Sequence, residues 1–218
     1  MLATTESPPR RPWRGRPRLI AIAMLVSCAL TVSSCHKAPA APVTVQSIDR
    51  AGDRIEFATP QPLKVPGVGD VHHDVKSLLN VTTPLGYGEY VWNTDGIPKG
   101  PTWVLVDLGA QTMSVFRSGH EIGTAVLLFG MDSKPSPVGD LKILEKNKDY
   151  WSHTYDAAMP YALRLTNDGV AIHGSEVELG SATHGCLGVP VDFARRLFSV
   201  MNVGDEVMIL PASRGHKA

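Results

Sequence analysis

The chain has 218 residues, 43% of them hydrophobic and 19% charged, with 20 glycines and 17 prolines. Sparse charge and frequent turn formers point to one mostly β globular domain with an attached tail, and away from a helical bundle. With 21 basic and 21 acidic residues, no basic stripe stands out, so nucleic-acid binding finds little support.

Arg10, Arg11, Arg14, Arg16 and Arg18 precede the apolar run 19–32, LIAIAMLVSCALTV. A basic start, a short apolar stretch and small residues form an export signal, and the run is shorter than the ~20 residues that span a bilayer as a helix. It closes on Val32-Ser33-Ser34-Cys35, which resembles a bacterial lipobox. Residues 1–35 are therefore expected to be a leader, with Cys35 lipidated as the first mature residue; plain cleavage nearby is the alternative. The expected location is periplasmic, anchored to a membrane through that lipid. His36 rather than aspartate favours the outer membrane in a Gram-negative cell. Five of the basic residues and one acid (Glu6) fall within 1–18, which leaves 16 basic against 20 acidic groups.

Residues 36–101 are expected to be a tether and an irregular extension, with KAPAAPVTVQS at 37–47 as the flexible part. His72-His73-Asp74 reads as a solvated loop, because three adjacent residues cannot comfortably converge on one ion. From Trp103 the pattern becomes regular. WVLVDL at 103–108 predicts a buried strand, and 112–130 predicts two more joined at Ser118-Gly119. Residues 131–140 form a loop with Pro135, Pro137 and Gly139, and LKILE at 141–145 a short strand. YALRLTNDGVAIHG at 161–174 predicts a hairpin turning at Asn167-Asp168-Gly169 and putting His173 at the far end of a strand. Proline suits a first helical turn, so a helix is expected from Pro190 to about Met201, with Phe193, Leu197 and Val200 on its buried face. EVMIL at 206–210 closes the domain as a strand. The domain expected over 102–211 is mostly β with one C-terminal helix packed on it, and 212–218 is a tail.

Few constellations carry chemistry. Ser34-Cys35-His36-Lys37 is formally S-x-x-K but lies at the processing site, and no Walker loop, G-x-S-x-G or H-E-x-x-H is present. Cys28 falls in the leader and Cys35 at its end, so Cys186 is the one cysteine of the mature domain, with no partner for a disulfide. Three readings of it stay open: an inert buried thiol, a zinc ligand with His173 and His184, and a nucleophile. The nucleophile needs a base within reach, and nine residues separate His173 from Thr183, so a loop can return His173 over Cys186. Gly185 leaves room for backbone N–H groups to approach an oxyanion.

IHGSEVELGSATHGC, with WVLVDLGAQTMSVFRSGHEI, KPSPVGDLKI and MPYALRLTNDGVAIHG before it, resembles the L,D-transpeptidase (YkuD-type) catalytic domain over about residues 102–210. The resemblance implies a compact β-sandwich that acts on bacterial peptidoglycan. Cys186 would attack the bond before the terminal D-alanine of a stem tetrapeptide, and an amine would resolve the thioester. It implies His173 as proton carrier, His184 and Gly185 as shapers of the nucleophile and oxyanion site beside Gly174, and Thr183 as a loop anchor. Tyr161 is a candidate for lining the donor site. No cofactor or metal is expected, the partners are stem peptides and a membrane, and the chain is expected to be monomeric. Two positions depart from the family pattern: Gly188 stands where arginine or asparagine is usual, and Ser136 replaces threonine. Gly188 keeps a second reading open, a catalytically idle relative that binds peptidoglycan.

Overall fold

The structure is a computed structural model that describes residues 54–65 and 69–212. The leader, the lipidation site at Cys35, the tether at 37–47 and most of the C-terminal tail lie outside the described residues. In chain order the strands are β1 (Arg54–Val65), β2 (Gly69–Leu79), β3 (Tyr90–Trp92), β4 (Thr102–Asp107), β5 (Thr112–Arg117), β6 (His120–Val126) and β7 (Gly139–Lys142). They continue as β8 (Glu145–Ser152), β9 (Ala157–Arg164), β10 (Ala171–Ser175) and β11 (Leu187–Pro190), followed by helix α1 (Val191–Val200) and β12 (Glu206–Leu210). The domain is mostly β with a single helix among the described residues.

The strands form two sheets. One runs β1-β2-β6-β5-β4-β12-β7 with β3 also on β6; the other runs β11-β10-β9-β8. Alternation explains what lies between them. Val104 and Val106 on β4, Met113 and Val115 on β5, and Val207 and Ile209 on β12 point inwards from the first sheet. Leu163, Ile172, Leu187 and Val189 meet them from the second, with Phe193, Ala194 and Leu197 of α1. Phe193 packs edge-on against Tyr90 at 5.8 Å and Trp92 at 5.4 Å. Lys146 of β8 donates to the carbonyls of Phe198 (2.7 Å) and Met201, placing a cation where the helix C-terminus presents unpaired acceptors.

Several expectations need correction. Residues 48–101 are not wholly irregular: they contain β1, β2 and β3. RIEFATPQPLKV carries Pro60 and Pro62, which argue against a central strand but are tolerated at a sheet edge, and β1 is an edge. His73 is not in a loop either. It lies on β2, its ring stacks on Trp103 at 4.3 Å, and its Nε2 pairs with Glu206 Oε1 at 3.1 Å. The strand expected at 141–145 divides into the end of β7 and the start of β8, because Ile143 between them turns into the core. The hairpin arm begins at Ala157 and pairs with β8, whose polar sequence EKNKDYWS hid it. A short strand, β11, precedes the helix, with Pro190 as its N-cap rather than its first residue.

Candidate active site

The site lies on the outer face of the second sheet. β10 and β11 run parallel, with Ile172 opposite Leu187 and His173 opposite Gly188. Ile172, Leu187 and Val189 face the core, so the alternate positions, Ala171, His173, Cys186 and Gly188, share the other face. One residue back from the Ile172–Leu187 pair, Cys186 falls beside Ala171, whose backbone hydrogen bonds to the thiol. His173 thus stands two residues from the position next to Cys186, on the same side.

Both groups are held neutral at rest. Burial pushes the Cys186 thiol up, as does the charge of Asp168; the Ala171 hydrogen bond and Lys134 oppose this. Burial lowers His173, against the effect of its bond to Gly174. That bond, from Nδ1–H to the Gly174 carbonyl at 2.9 Å, leaves the lone pair on Nε2. Among the contacts of the described residues, the imidazole and the thiol are not hydrogen-bonded to each other. They are poised on one face, as in many unliganded catalytic pairs.

The loop that carries Cys186 is fastened from two sides. Thr183 Oγ1 donates to the Cys186 carbonyl at 2.6 Å. Ser136 Oγ, buried at 7% exposure, donates to the Gly185 carbonyl at 2.9 Å and accepts from the Gly130 N–H at 3.0 Å. Thr183 N–H donates to the Phe129 carbonyl (2.9 Å) and Met131 N–H to the Thr183 carbonyl (3.2 Å), joining the loop to the chain that leaves β6. Gly185 has φ +105°, a conformation other residues rarely adopt.

Cys186 opens into a cavity of about 150 Å³. Its walls come from four places: Lys134 in the loop after β6, Tyr150 on β8 and Tyr155 at the β8–β9 turn, Asp168 at the β9–β10 turn, and His184 beside the cysteine. The Tyr155 ring stacks on His184 at 4.7 Å, and its hydroxyl accepts from Lys134 Nζ at 2.5 Å. That bond raises the Lys134 pKa. The sequence drew attention to Cys186 and His184 but not to Lys134, Tyr150, Tyr155 or Asp168. The aromatic pair Tyr150-Trp151 in an otherwise polar strand was the one available signal.

Tyr161 does not join this group. It has φ +58°, and its ring packs edge-on against Phe198 at 5.9 Å beside the core. Nor do His173, His184 and Cys186 form a metal set: among the described residues no three His, Cys, Asp or Glu side chains converge on a common point.

Residues 101–209 match the family model of the L,D-transpeptidase catalytic domain. L,D-transpeptidase 1 of Mycobacterium tuberculosis is 24% identical over 135 residues, covering 54% of this chain and 54% of its own. The chain thus spans about half the length of the curated relatives it matches. An L,D-transpeptidase structure from Stackebrandtia nassauensis is 26% identical, covers 55% of this chain and 60% of that one, and has a TM-score of 0.49. One from Mycobacterium smegmatis is 22% identical over 50% of this chain and 58% of that one, with a TM-score of 0.47.

Proposed function

We propose, from the premise that this chain belongs to the L,D-transpeptidase catalytic-domain family, that it acylates Cys186 with a peptidoglycan stem tetrapeptide and passes the acyl group to an amine. The observation that carries this is Cys186 opening into a cavity while His173, its Nε2 unprotonated, shares the same sheet face. As the sulfur attacks the carbonyl before the terminal D-alanine, Nε2 takes the thiol proton. The C–N bond then breaks, and the same proton goes to the departing D-alanine nitrogen. A thioester remains on Cys186. An acceptor amine attacks it, His173 takes the amine proton and returns it to the sulfur, and the thiol is restored. The positive φ of Gly185 turns the loop so that the amides around Cys186 can serve the oxyanion.

The neutral resting pair suits this scheme. A thiol that burial keeps protonated is activated by the base only when substrate is in place. Incubating the full chain with a stem tetrapeptide and reading its intact mass tests the reading. The expected result is a mass gain equal to the tetrapeptide less one molecule of D-alanine, which carries the thiol proton away, absent from Cys186→Ala. A folded wild-type chain that gains no mass, yet sediments with purified sacculi, would instead be the idle binding relative.

We also infer export and lipid anchoring at Cys35, supported by the arginine-flanked apolar run and the Val32-Ser33-Ser34-Cys35 stretch. Labelling with a radioactive fatty acid should mark the wild type but not Cys35→Ala.

A further inference from the structure

In a stem tetrapeptide the group that leaves is a D-amino acid with a free carboxylate, only a few bonds from the carbonyl that the sulfur attacks. A cationic residue that reads this carboxylate must line the same cavity as Cys186. Lys134 meets that condition. It lines that cavity, and it lies close enough for its charge and that of Cys186 to influence each other's titration. Tyr155 accepts one of its three ammonium hydrogens at 2.5 Å. No ion pair fills the others: among the described residues the salt bridges are His73–Glu206, Arg164–Glu145 and Arg195–Asp192. Asp168, the carboxylate that also lines the cavity, accepts from Thr166 and feels the charge of Lys134 without forming an ion pair with it. The ammonium is thus held at one corner by a tyrosine and keeps donors free towards the cavity.

We propose that Lys134 is a specificity-determining residue that binds the free carboxylate of the departing D-amino acid, so that the enzyme prefers donors with an unblocked C-terminus. This rests on the transpeptidase reading of Cys186. Tyr155, stacked on His184, fixes the ammonium relative to the nucleophile loop. The position is not a consequence of folding, because Lys134 is exposed, and its replacement leaves the core untouched.

The test compares two donors on the full chain: a stem tetrapeptide ending in free D-alanine and the same peptide ending in D-alanine amide. The acylation kcat/KM of each is followed by intact mass, with thermal melts confirming that each variant is folded. Wild type should prefer the free acid by roughly tenfold to a hundredfold, the size expected of a charge-assisted hydrogen bond. Lys134→Gln should lose most of that preference by slowing the acid donor far more than the amide donor. The amide donor is the internal control, since both donors use the same thiol and base. Equal acylation of both donors by wild type would overturn the inference and leave the transpeptidase reading standing. An equal slowing of both donors in Lys134→Gln, or an undiminished preference, would overturn it too. Folded wild type acylated by neither donor would remove both readings together.

Discussion

His173 and Gly188 are register partners in the parallel β10–β11 ladder, so the ladder position facing the candidate base carries no side chain. A Cβ built on Gly188 would lie 3.1 Å from Ser175 Cβ, 3.4 Å from Ser175 Oγ and 3.5 Å from Leu128 Cβ. Leu128 also exchanges both backbone hydrogen bonds with Gly188, at 2.7 and 2.9 Å. The departure from the family pattern therefore comes with a closed slot, and the strand is held on both sides without a residue-188 side chain.

Replacing Gly188 by asparagine should consequently destabilise the fold by about 1–3 kcal/mol, the usual cost of overpacking. Because the tightest contact is with Ser175, Ser175→Gly should recover part of the loss. Chemical denaturation of the two single variants and the double variant measures the coupling. Strict additivity would mean that Ser175 is not the obstruction.

His173→Gln should slow acylation by roughly a hundredfold to ten-thousandfold, the usual contribution of a positioned general base. Cys186→Ser, which keeps the size of the side chain, should abolish stable adduct formation. Single-turnover mass kinetics distinguishes a slowed step from a lost one.

The pKa directions set the pH behaviour. His173 titrates below the ordinary histidine value, so kcat/KM should stay high on mild acidification and fall only once pH passes below about 6.5. The stability consequence has the same sign. A depressed folded pKa means that stability is fully present above the unfolded value and is lost as pH falls through the folded one. The Cys186 thiol is raised, so its contribution is present below the unfolded value and is lost as pH rises through the folded one. Melting temperatures across pH, compared with His173→Gln and Cys186→Ser, should show the acid and alkaline dependences each reduced. Alkylation of Cys186 by iodoacetamide should be slow at neutral pH and accelerate in alkali.

Ser136→Ala should cost about 1–3 kcal/mol, because it strands the Gly130 N–H and the Gly185 carbonyl at a buried site. The loop bearing Cys186 loses one of its two fastenings, so acylation should also slow, whereas Ser136→Thr should retain both bonds. Denaturation and donor kinetics on the pair of variants check both effects.

Much of this arrangement was legible in the amino-acid order. Alternation in 103–108 and 112–126 predicted β4, β5 and β6. Asn167-Asp168-Gly169 predicted a turn, and the spacing of Phe193 and Leu197 a helix packed on the core. Each is a local signal, because side-chain direction repeats every two residues in a strand and about every 3.6 in a helix. Edge strands escaped: residues 54–62 of β1 and the residues of β8 bury few side chains, so no apolar alternation marks them. Tyr161, expected at the donor site, has φ +58° and packs its ring edge-on against Phe198, away from the residues that line the cavity.

By itself the sequence determined the candidates: Cys186, a glycine before it that adopts φ +105°, and a histidine on a strand a short loop away. Only the tertiary structure decided what surrounds them. Lys134, Tyr155 and Asp168 belong to three separate turns, and nothing in their local pattern relates them to Cys186 or to one another. Tyr155 and Asp168 meet at the cavity because β8 pairs with β9, β9 with β10 and β10 with β11, and Lys134 joins them because the loop after β6 is bonded to Thr183 and Gly185. Those registers are set by long-range burial of alternate side chains, including Leu163, Ile172 and Leu187, in the common core.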